Sequence, residues 1–179
     1  MNLSSDPLLS CFVPVIDAET ELLILGSLPG EASLKRGQYY GHPRNQFWRL
    51  TGDILGCNLV DLPYEARLMT LLKHHIGLWD VIATAKRQGS LDGAIREATP
   101  NPLVSLIERL PQLKLIAFNG QKAASLGQKT LQKANMAALP CSVLPSSSPA
   151  HAIAYERKKE VWLRAGAFVF DRGKQKGSI

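Results

Sequence analysis

Glu21-Leu22-Leu23-Ile24-Leu25-Gly26 (ELLILG) is the stretch that decides the fold class. A short apolar run without polar alternation, stopped by glycine, is the pattern of a strand buried on both faces, hence the middle of a parallel sheet. Leu113 to Phe118 (LKLIAF), closed by Asn119-Gly120, repeats that pattern, and Trp79 to Thr84 (WDVIAT) and Ser142 to Leu144 read as further strands. Helical patterns lie between them. His42-Pro43 opens a helix with Phe47, Leu50 and Ile54 on one face, proline at the favoured first position and Gly56 as its stop. Tyr64, Leu68, Leu71 and Leu72 mark a second helix, and Asn101-Pro102 caps a third through Leu110. Another starts near Lys122, and a last one runs from Tyr155 to near Phe170.

Strands alternating with helices predict an α/β fold, a three-layer α/β/α sandwich around a mostly parallel sheet of about four to five strands with right-handed crossovers. One domain over 1–179 is expected, with 172–179 as a basic tail. Ligands of such sheets bind beyond the carboxyl ends of the strands, so the loops after Gly26, Thr84, Phe118 and Leu144 are where chemistry is sought.

The 179 residues are 45% hydrophobic and 20% charged, an ordinary globular composition that needs no disulfide or structural metal to support a core. Cys11, Cys57 and Cys141 are too sparse for a disulfide framework or an iron-sulfur cluster and point to a reducing cytosol. The longest apolar runs, Leu22 to Leu25 and Ala165 to Phe170, fall far short of the ~20 residues a bilayer requires, and the first residues do not read as a secretory signal. A net charge of +6 favours a polyanionic partner. Lys35, Arg36, Arg44 and Arg49 stand in a segment without acidic residues, whereas the basic residues after Glu156 fit a solvated helix face equally well.

Gly26-Ser27-Leu28-Pro29-Gly30 leaves the first strand as a stiff turn whose backbone can approach a ligand, although a purely structural turn fits too. Tyr39 and Tyr40 beside basic residues fit a stacking platform for a base, or a core. Leu144-Pro145-Ser146-Ser147-Ser148-Pro149-Ala150-His151 presents hydroxyls and backbone N–H groups suited to phosphodiester contacts, or is a plain loop. Asp80, inside an apolar run, is either partnered structurally or functional. GxSxG, Walker and GxGxxG patterns are absent, which excludes those hydrolase and nucleotide chemistries. Of the four histidines, His74 and His75 are adjacent and cannot share a helix face, so they are placed on a helix surface rather than in a metal site.

Taken together, GSLPG, YYGHPRNQFW, GLWDVIA, GSLDGAIREA and LPSSSPAHA resemble the uracil-DNA glycosylase superfamily, in particular its hypoxanthine-DNA (deoxyinosine) branch. HPRNQFW is also similar to the mismatch-specific uracil/thymine enzymes. The resemblance implies that residues 26–30 line a pocket for a flipped-out base, joined by Asn119, and that Tyr40 stacks on that base. The superfamily places a polar, water-orienting residue where this chain has Leu28; the hypoxanthine branch lacks it too, and Asn45 of the HPxN segment takes the role. Ser146 stands where relatives carry His or Asn and is assigned to catalysis, and Ala150 where some carry a bulkier wedge. Arg44, Ser147, Ser148, His151, Lys35 and Arg36 are assigned to DNA contacts; Asp80, Arg87 and Ser90 are held as neighbours.

The implied activity is monofunctional hydrolysis of an N-glycosidic bond without cofactor or metal, since no lysine falls in either motif loop to form a Schiff base. The implied partner is DNA containing a deaminated base, bound by a monomer away from any membrane. The alternatives are a uracil/thymine mismatch glycosylase, a non-catalytic damaged-DNA binding module and a small-molecule α/β binding protein.

Overall fold

Leu22 to Gly26 are buried at every position, and the rest of the chain is arranged around them. The structure is a computed structural model describing residues 6–171; the expected basic tail, 172–179, lies outside the described residues. In chain order the elements are β1 (Leu8–Ser10), β2 (Leu22–Gly26), α1 (Glu31–Arg36), α2 (Phe47–Leu55), α3 (Tyr64–Lys73), β3 (Ile76–Asp80), β4 (Ile82–Lys86), β5 (Arg96–Pro100), α4 (Leu103–Ile107), β6 (Leu115–Asn119), α5 (Gln121–Lys133), β7 (Cys141–Leu144) and α6 (Tyr155–Phe170). Strands in the order β3-β2-β6-β7 form a parallel sheet.

Period-two alternation sends successive β2 side chains to opposite faces, and both faces are covered. Leu22 and Ile24 join a core with Phe47, Trp48 and Leu50 of α2, Leu71 of α3, and Trp162, Ala165 and Val169 of α6. Leu23 and Leu25 join another with Leu103, Leu106 and Ile107 of α4 and Ala123, Ala124 and Leu131 of α5. That is the α/β/α sandwich expected. Gly127 lets α5 sit tightly on the sheet, because a Cβ there would lie 2.2 Å from the Phe118 ring.

Several local expectations need correction. Trp79 to Thr84 is not one strand: β3 ends at Asp80, and after Val81 the chain enters β4, which belongs to a separate antiparallel sheet of order β1-β4-β5. The backbone N–H groups of Val81 and Ile82 donate to Gly26 and Ser27, leading the chain off the parallel sheet along the loop after β2. The ligand-facing carboxyl end is therefore Asp80, not Thr84. The helix expected from His42-Pro43 starts at Phe47, because residues 42–46 form turns in which Asn45 Oδ1 accepts from Phe47 N–H at 3.0 Å. Asn101 does not cap α4, which stops at Ile107; its amide donates to the Asp80 carbonyl at 2.8 Å and ties β3 to the segment before α4. His74 follows α3 and His75 sits in a left-handed turn at φ 60°, so neither lies on the helix surface.

Candidate active site

Parallel register lines up the strand ends. Gly26 pairs with Asp80, Leu25 with Phe118 and Asn119 with Leu144, so the loops leaving these strands meet at one edge of the sheet. A cavity of about 600 Å³ opens there, lined from both motif loops. Its size falls within the ~300–1,000 Å³ of pockets that take small organic groups.

The first wall is the loop after β2. Leu28, expected among the base-binding residues, is 6% exposed and packs its side chain into the α4/α5 core, so only its backbone can serve the cavity. That is why an apolar residue is tolerated there. Ser27 likewise spends its hydroxyl, donating to Asp92 Oδ1 at 2.6 Å. The Leu28 and Gly30 N–H groups have no acceptor among the described residues, which leaves backbone donors at the wall. Arg87, 1% exposed, holds the loop from beneath, donating to Gly89 O at 2.8 Å and to the carbonyls of Leu28 and Pro29.

Tyr40 lines the cavity and stacks on Phe47 with centroids 3.7 Å apart and planes 9° from parallel. Its φ of 53° is unusual for a tyrosine, a backbone cost accepted where a side chain must be aimed. Asn45 lines the same cavity. Its Oδ1 accepts from Phe47 N–H in a turn just before α2, whose N-cap is Gln46, and Nδ2 has no partner among the described residues, so the amide is anchored at one end and free at the other.

The second loop is braced by reciprocal bonds. Asn119 Nδ2 donates to Ser147 Oγ at 2.9 Å, and Ser147 N–H returns a bond to Asn119 Oδ1 at 2.9 Å. Ser147 is fully buried, which corrects its assignment to DNA contact: its polar groups hold the loop. Asn119 gives both amide ends to that pair and keeps one N–H for the cavity. Ser146 and Ser148 accept from Ser148 N–H and Ala150 N–H at 3.2 Å each, leaving hydroxyl protons to donate. Lys158, Trp162 and Gln46 fasten the loop further, to the carbonyls of Ser148, Pro145 and Ser147.

Asp80 has the most perturbed environment. It is 3% exposed, lines the cavity, and its Oδ2 has no hydrogen-bond partner. Burial pushes its carboxyl up to about 7, reinforced by the Asp92 charge and opposed by Arg87. Gly26 makes room for it: a Cβ there would stand 2.6 Å from Asp80 Oδ1 and 3.2 Å from the Tyr40 hydroxyl. That hydroxyl is also buried and unpartnered, with burial raising the phenol so that it stays protonated. Each orphaned buried polar group costs on the order of 1–3 kcal/mol, which a polar ligand in the cavity would recover.

Of the remaining assigned residues, Lys35 and His151 line the cavity and are exposed, whereas Arg36 and Arg44 are exposed outside its lining. His42, Asp92 and Leu91 line it without having been assigned a role. The signal for Asp80 was present as a carboxylate within an apolar run; His42 and Leu91 lie inside the stretches YYGHPRNQFW and GSLDGAIREA, but nothing within those stretches singles them out. Among the described residues there is no cluster of His, Cys, Asp or Glu fit for a metal, and no helix long and apolar enough to cross a membrane.

Comparison with known proteins gives a consistent result. A family model described as the Uracil DNA glycosylase superfamily matches residues 13–168. The chain is 42% identical over 161 residues to the hypoxanthine DNA glycosylase of Methanosarcina barkeri, covering 86% of this chain and 95% of the relative. It is 43% identical over 158 residues to the hypoxanthine DNA glycosylase of Methanosarcina acetivorans, covering 84% and 93%. The solution NMR structure of a candidate uracil DNA glycosylase from M. acetivorans superposes with a TM-score of 0.80 at 40% identity, over 91% of this chain and 99% of that one.

Proposed function

The chain belongs to the uracil DNA glycosylase superfamily, and from that premise we propose that it excises hypoxanthine from deoxyinosine in DNA, as a monomer that leaves an abasic site. The observation that carries this reading is the convergence of both motif loops on one cavity with two unpartnered buried polar groups, Asp80 Oδ2 and the Tyr40 hydroxyl. The relatives named as hypoxanthine DNA glycosylases support the choice of base.

The reaction passes through an oxocarbenium-like sugar, with negative charge developing on the departing base. Pre-set donors at that base lower the barrier, each worth a few kcal/mol. Here they are the free N–H groups of Leu28 and Gly30, the spare Asn119 N–H and, below about pH 7, the Asp80 carboxyl. A lactam edge with a carbonyl acceptor and a ring N–H donor matches a protonated carboxyl, which donates and accepts at once. Asn45 holds the attacking water through its amide and Tyr40 stacks on the base, with Lys35, Arg36, Arg44 and His151 taking DNA phosphates. The amide of Asn45 is no base at neutral pH and acts by placement. Flipping costs a few kcal/mol, least for weakly paired bases such as inosine mispairs.

The test uses duplexes carrying one hypoxanthine, uracil, xanthine or mismatched thymine, followed by hot alkali. The reading expects alkali-labile product from the hypoxanthine strand, lost in folded Asn45→Ala. Product from uracil alone moves the activity to the mismatch branch, and salt-sensitive binding without product leaves a lesion-binding module.

A further inference from the structure

Leu91 is 62% exposed and lines the mouth of the same cavity. Its loop is pinned on both sides. Ser90 Oγ accepts from Glu31 N–H at 3.0 Å, and Asp92 Oδ1 accepts from Ser27 at 2.6 Å. Beneath it Arg87 reaches Gly89 O at 2.8 Å, and the Leu91 carbonyl accepts from Ala94 N–H at 3.0 Å in a turn that returns Ile95 to the core at 9% exposure. A fixed loop that buries one apolar residue while holding another in water a few positions earlier has placed the exposed one for contact.

A base rotated out of a duplex leaves a gap in the stack, and an apolar side chain inserted there keeps the base from returning. In the loop between β7 and α6 the exposed apolar residue that lines the cavity is Ala150, with only a methyl to offer, and Ile153, 38% exposed, stands outside the lining. We propose that Leu91 is the wedge that enters the duplex where the target base leaves. Lys35 and His151, exposed and lining the cavity, carry donors that hold the phosphates flanking the gap. Leu91 is thus a positioning residue: it touches the base stack and not the reacting atoms. The inference rests on the base-flipping reading above and adds the element that makes flipping productive in duplex DNA.

The experiment compares wild type, Leu91→Ala and Leu91→Met under single-turnover conditions, with inosine in a duplex and in a single strand, where no stack has to be held open. Fluorescence of 2-aminopurine placed beside the inosine reports unstacking independently of turnover. The duplex-to-single-strand rate ratio falls about tenfold or more in Leu91→Ala, with a smaller fluorescence rise at saturating protein, and Leu91→Met restores both. An unchanged ratio with unchanged fluorescence overturns the wedge, as does an equal loss on both strands. If wild type cleaves neither substrate, the glycosylase reading fails and the fluorescence comparison alone decides whether Leu91 opens the stack.

Discussion

Replacing Asp80 with asparagine tests whether the cavity is built at a cost to stability. Its carboxyl is raised from 3.8 to about 7, chiefly by burial. At about 1.4 kcal/mol per unit, an ionised Asp80 destabilises the folded chain by roughly 4 kcal/mol as an upper bound. The native state holds its proton more tightly than the unfolded chain, so between about pH 4 and 7 the folded form binds more protons and stability falls as pH rises. The penalty is absent below about pH 4 and complete above about pH 7. The Asp80→Asn side chain carries no such charge, and its amide keeps the volume. Urea unfolding followed by tryptophan fluorescence should show the two proteins nearly equal at low pH and Asp80→Asn gaining up to about 4 kcal/mol by pH 8. A difference that does not change with pH refutes the reasoning. In glycosylase assays the wild-type rate should decline above about pH 7 as the donor proton is lost, and that decline should vanish in the variant, whose amide donates at every pH.

Other residues give separable outcomes. Asn45→Ala should lower the rate of excision by about 10²-fold through loss of water placement, while losing only about 1 kcal/mol of stability from the turn bond to Phe47 N–H; equal losses on both scores would reduce Asn45 to a structural residue of that turn. Tyr40→Phe removes a buried hydroxyl that has no partner and should leave stability unchanged or raised, whereas Tyr40→Ala should weaken binding of an inosine-containing strand by about 1–3 kcal/mol, both read by titration and thermal melting. Ser147→Ala breaks the reciprocal pair with Asn119 and should cost about 1–3 kcal/mol in denaturation without altering the salt dependence of DNA binding. Arg44→Ala should instead reduce the slope of log affinity against log salt by about one and leave folding intact.

Residues whose environment is set by their neighbours in sequence are legible from the sequence alone. Leu22 to Gly26 and Leu115 to Asn119 are unbroken apolar runs, and only a strand buried on both faces accommodates them. The loops after β2 and β7 follow from the rule that ligands gather at carboxyl ends, and both do line the cavity. What escaped depends on partners far along the chain. The antiparallel sheet includes β5, exposed at every position, so it has no apolar period to read. The break at Val81 is imposed by carbonyls of Gly26 and Ser27, distant in sequence. Ser147 looks like its neighbouring serines until Asn119 is folded against it. Leu28 lines the cavity through its backbone, as a turn after β2 allows, but the burial of its side chain in the α4/α5 core was not legible, because side-chain direction in a tight turn is not encoded by a period.

The central claim is that the cavity breaks the bond between hypoxanthine and deoxyribose. Its most direct measurement is chromatographic detection of free base after incubating wild type with an inosine-containing duplex, alongside the state of the strand before and after alkali. The account predicts free hypoxanthine in amounts matching alkali-labile sites, a strand intact until alkali is added, and no protein–DNA crosslink on borohydride treatment. Absence of free hypoxanthine while the protein still binds the inosine duplex would contradict it.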